Sequence, residues 1–205
     1  MKKPLIASDI DGVVVDWMNP FIQHINTHFG YSLRYEDCHT HTLMDLLQVD
    51  FEELVKICAD FEQKVPFHHH PFMEEGYQGL QSLQEDFEII FITSRPHSYE
   101  AYTRQMIQEH FGVEVIFAHG AQMQYGTQTG RKKKWQLADE LGALYLIEDN
   151  PYEFDGWQAS TKPICHKQPW NSHLPQVHPD IPHTTWPEIV DIIRKTYQKG
   201  GVMES

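Results

Sequence analysis

The chain has 205 residues, 40% of them hydrophobic and 12% aromatic, enough for one sizeable core and too many for a disordered or fibrous chain. Its formal net charge of −13 at pH 7 argues against extended nucleic-acid or anionic-membrane binding, and it means that an anionic substrate needs a local cation. No apolar run reaches the length of a membrane span, and the one after Lys3 breaks at Ser8-Asp9, so neither a membrane anchor nor a secretory signal is expected.

Residues 4–9 predict a short buried strand that delivers Asp9 and Asp11 at its C-terminal end, where Gly12 lets the backbone turn tightly. The two carboxylates are two residues apart, so on an ideal strand they share a face, and they repel unless a cation or a proton intervenes. A solvated loop with two incidental aspartates is the plain alternative. From residue 16 to 29, Phe21, Ile22, Ile25 and Phe29 recur at helical spacing, with Gly30 placed as a C-terminal cap. Residues 31–42 are polar and irregular. Asp50 with Glu53 three later predicts the start of a second helix, with Phe51, Leu54, Val55, Cys58 and Phe61 on one face. Pro66 and Pro71 bracket a loop carrying His68, His69 and His70.

A helix over 74–85 turns Tyr77, Leu80 and Leu83 inward. Residues 87–92 form a continuous β-rich run, hence a strand buried on both faces, which ends at Thr93-Ser94-Arg95-Pro96. A helix from Ser98 to Gly112 presents Tyr102, Met106 and His110, and 113–118 is a third strand. After a Gly-, Gln- and Thr-rich loop at 119–131, a helix spans 134–141 and closes at Gly142. A fourth strand at 144–147 ends in Glu148-Asp149-Asn150-Pro151, and 162–166 forms a shorter fifth. Residues 167–183, rich in Pro and His, read as loop. Thr185 with Glu188 caps a last helix bearing Ile189, Val190, Ile193 and Tyr197.

Strands alternating with helices imply an α/β fold, a Rossmann-like, mostly parallel sheet with helices on both faces. Ligands of such sheets bind at the carboxyl ends of the strands. Three strands here end in functional groups at that edge, Asp9/Asp11, Thr93/Ser94 and Glu148/Asp149.

In Asp9-Ile10-Asp11-Gly12-Val13, Thr93, Lys134 and Glu148-Asp149, in that order, the sequence resembles the haloacid dehalogenase superfamily of phosphatases. The resemblance implies that Asp9 is nucleophile and metal ligand and that Asp11 is general acid, then general base, its backbone carbonyl reaching the metal. Asp149 is the remaining direct carboxylate ligand, with Glu148 in or near the outer shell where the family often has a second Asp. The Thr93 hydroxyl, Ser94 and nearby amides hold the phosphoryl oxygens, and Lys134 neutralises nucleophile and phosphate. Lys132 and Lys133 are rivals for that last role, and a solvated basic run from Arg131 to Lys134 is the plain reading. Arg95 is a second candidate phosphate contact.

Elementary chemistry supports these roles. Hydrolysis of a phosphate monoester is slow enough uncatalysed that on the order of 20 kcal/mol must come off the barrier. A carboxylate nucleophile splits the reaction into two displacements. A dianionic phosphate repels an attacking carboxylate, so Mg2+, which prefers oxygen ligands, is the expected cofactor. The insert between the first two motifs, 16–75, reads as a small helical cap, with 1–15 and 76–205 as the core.

Asp9 to Trp17, Thr93-Ser94-Arg95-Pro96, Ile147 to Pro151, Gln168-Pro169-Trp170-Asn171 and Trp186 further resemble the 5'(3')-deoxyribonucleotidases, the cytosolic type C 5'-nucleotidases. There an aromatic at the position of Trp17 faces the substrate base; plain cap–core packing is the alternative for Trp17. The expected partner is a small phosphomonoester, chiefly a nucleoside monophosphate; a sugar phosphate, and a non-catalytic protein binding a nucleotide or a nucleic-acid end, are the rivals, and a homodimer is left open. Cys38, Cys58 and Cys165, odd in number and without a CxxC pair, fit a reducing, cytoplasmic setting. Cys38, His39, His41 and the run at His68, His69 and His70 match no structural zinc spacing, and the histidines read as solvated or substrate-facing cap residues.

Overall fold

The computed structural model of the protein describes residues 3–118 and 132–200. Among them, β1 (Leu5–Ser8), β2 (Glu88–Thr93), β3 (Val115–Phe117), β4 (Tyr145–Glu148), β5 (Lys162–His166) and β6 (His183–Thr184) form a sheet ordered β3-β2-β1-β4-β5-β6. Every neighbouring pair is parallel. The helices are α1 (Met18–His28), α2 (Leu43–Leu47), α3 (Phe51–Lys64), α4 (Glu74–Leu83), α5 (Glu100–Phe111), α6 (Lys134–Glu140), α7 (Leu174–Val177) and α8 (Trp186–Gly200).

Successive strand side chains alternate between faces, and both faces here are covered. Ile6, Phe91 and Ile147 pack with Leu80 of α4, Ile107 of α5 and Ile189 of α8, all buried. Ala7, Ile92 and Leu146 pack on the other face with Ala138 of α6. This parity positions the site. Ser8 lies in register with Phe91 and Ile147, so the next residue, Asp9, stands beside the ends of β2 and β4. Asp9 shares the parity of Ala7, and Glu148 that of Leu146, so both are directed to the face where α6 begins at Lys134.

Beyond β1 the chain folds back tightly, with the amides of Val14 and Val15 donating to the Ile10 carbonyl at 2.9 Å each. Gly12 adopts a φ of +74°, and a Cβ there would lie 2.3 Å from Asp149 Oδ2. Both conditions exclude a side chain at this position. α8 is seated by Trp186, 1% exposed, whose Nε1 donates to the Val13 carbonyl at 2.9 Å. α4 admits that indole because it presents Gly79, where a Cβ would lie 2.6 Å from Trp186.

α1, α2 and α3 close a second apolar cluster around Phe21, Ile25, Leu47, Ile57 and Phe61, and Trp170 from the segment after β5 reaches into it. The chain enters and leaves this region side by side: Asp16 N donates to Pro71 O at 2.9 Å and Met73 N to Val14 O at 2.8 Å.

Several sequence expectations need correction. Residues 31–42 hold a 3-10 turn at Tyr35–Asp37 and a fully buried Cys38, and α2 follows; at five residues, α2 is too short to show a period. A 3-10 turn at Phe67–His69 occupies the expected loop between Pro66 and Pro71. α5 buries a different face from the expected one: Thr103, Met106, Ile107 and Phe111, spaced i, i+3, i+4 and i+8, are buried, while Tyr102 and His110 are exposed. Phe51, which opens α3, is 44% exposed. β6 and α7 occur where loop was expected, β6 being two residues long. The loop at 119–131, including Arg131, lies outside the described residues. No described helix is long and apolar enough to cross a membrane.

Candidate active site

At the carboxyl edge of the sheet, one buried ammonium is set among three buried carboxylates. Lys134 Nζ lies 2.6 Å from Asp9 Oδ2 and 2.9 Å from Glu148 Oε2. Asp9, Glu148 and Asp149 can each offer an oxygen within 4.8 Å of the others. None of the four residues is more than 5% exposed. Burial, then the charge of Glu148, pushes the carboxyl groups of both Asp9 and Asp149 well above their ordinary value. Burial likewise disfavours the charged forms of Glu148 and Lys134, but attraction wins: Lys134 holds the Glu148 carboxyl below its ordinary value, and Asp9, then Glu148, hold the Lys134 ammonium above its own.

The charges therefore do not balance: one ammonium cannot neutralise three carboxylates. An all-oxygen, anionic donor set with a surplus of negative charge fits a hard divalent cation such as Mg2+. The carboxylates differ in what they have left to offer. Glu148 Oε1 accepts from the backbone amides of Asp149 and Asn150, both at 3.0 Å, and Oε2 faces Lys134, so both its oxygens are engaged. Asp149 Oδ2 accepts from Trp170 Nε1 at 2.9 Å, leaving Oδ1 available.

Lys134 is also distinguished from its neighbours. Lys132 Nζ pairs with Glu140 at 2.7 Å on the surface, and Lys133 Nζ donates to the carbonyls of Tyr152 and Asp155 at 2.7 and 2.8 Å. Position 134 opens α6 and turns inward, and its amide donates to the buried Glu153 at 3.0 Å.

Asp11 points away from this cluster. Both its oxygens are held by Arg95, Nε donating at 2.8 Å and a terminal nitrogen at 2.7 Å, the forked geometry that guanidinium offers a carboxylate or a phosphate. The Arg95 side chain is 2% exposed, also donates to Thr103 Oγ1, and lies 4.8 Å over the Phe67 ring. The Arg95 amide donates to Thr93 Oγ1 at 3.1 Å. The Ser94 hydroxyl is buried without a hydrogen-bond partner among the described residues. A buried hydroxyl with no partner is costly unless a ligand completes it.

These groups open into a cavity of about 880 Å³, within the range of small-molecule sites. Its floor is Asp9, Asp11, Thr93, Ser94, Arg95 and Lys134; Leu54, Cys58, Glu62 and Phe67 line the side toward the second apolar cluster. Trp17 stacks on Phe21 at 4.6 Å and also borders the cavity. Of the histidines, His70 is buried beside Phe61 and Phe67, and His41 borders the cavity near Tyr152.

Sequence reasoning missed the parts that hold this site from outside. Gln168 Nε2 donates to the Gly12 carbonyl at 2.7 Å, and its Oε1 accepts from Tyr35 OH at 2.5 Å. Asn171 Nδ2 donates to the Asp149 carbonyl at 2.8 Å. One short segment thus ties together the Gly12 turn, Asp149 and the 3-10 turn at Tyr35–Asp37. Its only signal in the sequence is the Gln168-Pro169-Trp170-Asn171 string itself.

The family model for "5' nucleotidase, deoxy (Pyrimidine), cytosolic type C protein" matches residues 3–198. Among solved structures, a haloacid dehalogenase-like family hydrolase from Streptococcus pneumoniae aligns with a TM-score of 0.61 at 12% identity, over 93% of this chain and 98% of that one. A family hydrolase from Deinococcus radiodurans R1, solved with bound phosphate and sodium, aligns with a TM-score of 0.61 at 15% identity, over 91% and 93%. A predicted phosphoglycolate phosphatase from Haemophilus somnus 129PT aligns with a TM-score of 0.61 at 13% identity, over 94% and 99%. At these identities the likeness is one of fold. No curated protein matches the chain.

Proposed function

The chain belongs to the deoxy (pyrimidine), cytosolic type C 5'-nucleotidase family, and on that footing we propose that it is a Mg2+-dependent phosphatase of nucleoside 5'-monophosphates. The observation that carries this reading is the buried Asp9–Lys134–Glu148–Asp149 cluster at the floor of a cavity large enough for a nucleotide.

In this reading Asp9 attacks the phosphorus, the bond to the leaving oxygen breaks, and the phosphoryl group is carried as an acyl phosphate until water cleaves it. Lys134 holds the nucleophile and lowers the charge that an incoming phosphate meets. Mg2+ would be held by Asp9, Asp149 and the Asp11 carbonyl, and would supply charge screening between the phosphate dianion and the carboxylates. Glu148 braces Lys134 and the turn after β4. The Ser94 and Thr93 hydroxyls and nearby amides take the phosphoryl oxygens.

Asp11 acts as acid and then as base, and its pairing with Arg95 supplies the order of events. A carboxylate whose two oxygens are both occupied by a guanidinium cannot deliver a proton. A bound phosphate competes for the same fork and frees Asp11, which takes up a proton from water and passes it to the leaving oxygen as the ester bond breaks.

The segments α1 to α3, within residues 16–75, serve as a cap that selects the substrate, with Trp17 bordering the base. The three cysteines are free and buried, which supports a reducing, cytoplasmic setting.

The test is a panel of phosphomonoesters assayed with Mg2+ and with a chelator. Nucleoside 5'-monophosphates are expected to lead the panel and the chelator to abolish turnover; a sugar phosphate as sole substrate would transfer the reading to the rival class. Mg2+ is also expected to raise the Tm. That gain shrinks as pH falls, because the raised carboxyl groups of Asp9 and Asp149 take up protons that compete with the cation.

The Trp170–Asp149 hydrogen bond yields a separate prediction. Trp170→Phe removes the donor while keeping an aromatic ring, and it is expected to weaken Mg2+ binding by about 10–100-fold, as losses of groups that orient a ligand do. Calorimetric titration of the variant with Mg2+, without substrate, reads this directly.

A further inference from the structure

We propose that Glu62 is the specificity residue for the leaving group, accepting a hydrogen bond from an N–H donor of a nucleobase. The proposal rests on the nucleotidase reading and names the feature that this site requires of its substrate.

Leu54, Cys58 and Glu62 are four residues apart on α3 and line one side of the cavity as a stripe. Leu54, Cys58 and the facing Phe67 are apolar, so Glu62 places a carboxylate in an otherwise apolar lobe. Its Oε2 accepts from Tyr99 OH at 2.5 Å. No Lys, Arg or His pairs with it among the described residues, and burial holds its carboxyl above the ordinary value. A carboxylate has about four acceptor positions, and a single hydroxyl leaves others open to a ligand's donor.

The position of Glu62 indicates which part of a ligand it meets. The Arg95 guanidinium lies over Phe67 at 4.8 Å, Phe67 packs on Tyr99 at 4.3 Å, and Tyr99 holds Glu62. Glu62 thus lies at the other end of a chain of contacts that starts at Arg95 and runs through Phe67 and Tyr99. A phosphate dianion is repelled from this end and drawn to Arg95 and Lys134, which fixes the direction in which a substrate lies. What reaches Glu62 is the far end of the leaving group. Trp17, on the cavity border, suits a flat heteroaromatic ring, and Glu62 adds the demand that the ring carry an N–H donor. A sugar phosphate without a base has no ring N–H to offer it.

Glu62→Gln separates base recognition from general damage. It keeps the side-chain length and can still accept from Tyr99, but it turns a donor toward the ligand in place of an acceptor. The measurement is kcat/KM on the four common nucleoside 5'-monophosphates and on ribose 5-phosphate, which shares their phosphoryl group and sugar but lacks a base. The variant is expected to lose on the order of tenfold or more on at least one nucleotide that the native enzyme prefers, chiefly through KM, and less than about twofold on ribose 5-phosphate. Glu62→Ala, with its Tm checked, is expected to reproduce the pattern. Equal losses on nucleotides and ribose 5-phosphate, or no loss on either, overturn the proposal. Native enzyme that turns over ribose 5-phosphate but no nucleotide overturns the nucleotidase reading itself, and the two failures are thereby told apart.

Discussion

Asp9→Asn is expected to lower kcat by on the order of 10⁴-fold or more while leaving the fold intact. Asn keeps the shape of Asp but is a far poorer nucleophile, so the displacement has no atom with which to begin. The accompanying stability change has a definite sign. The Asp9 carboxyl is raised well above its ordinary value, chiefly by burial and then by Glu148, so its ionised form opposes folding at neutral pH. A neutral amide removes that opposition, and metal-free Asp9→Asn is expected to melt no lower than the native protein. A variant with near-native kcat would show that the nucleophile lies elsewhere; one that fails to fold would show that Asp9 is mainly structural.

Lys134→Met is expected to cost about 10²–10³-fold in kcat, the range found when one preorganised charge-stabilising group is removed from an active site. It is also expected to destabilise the metal-free protein by about 3–5 kcal/mol, because Glu148 and Asp9 then remain buried without their cation. Lys132→Met is the control. Its ammonium pairs with Glu140 on the surface, where such a pair contributes about 0–1 kcal/mol, and its activity is expected to stay near native. Steady-state kinetics and urea unfolding of the two variants decide this. A larger kinetic loss at Lys132 than at Lys134 would contradict the geometry.

The sheet and the floor of the site were legible in the sequence because both depend on local signals. A buried parallel strand is a continuous apolar run, and a polar group at its end is visible as the residue that stops the run; Asp9, Thr93 and Glu148 are each read this way, and the register of β1 with β2 and β4 brings them together. The family resemblance preferred Lys134 over Lys132 and Lys133, and Lys134 is the lysine that turns inward.

What escaped were pairings made only by tertiary packing. Arg95 and Asp11 are 84 residues apart, Tyr35 and Gln168 133 apart, and no periodicity links them. Trp170 reads as an ordinary loop aromatic until β5 carries it back against Asp149. Glu62 was invisible for the opposite reason. On the sequence it is one acidic residue near the end of an amphipathic helix, a position that usually faces water, and only the cavity on its side of α3 gives it a role. Short elements were lost as well, since α2 at five residues and β6 at two are below the length at which a period can be counted.

The most direct test of the central claim is peptide mass mapping of the native protein quenched in acid while it turns over its best substrate from the phosphomonoester panel. The expected result is one phosphoryl group on the peptide that carries Asp9, absent from the Asp9→Asn variant. Turnover with no modified peptide, or with the phosphoryl group on another residue, would contradict it.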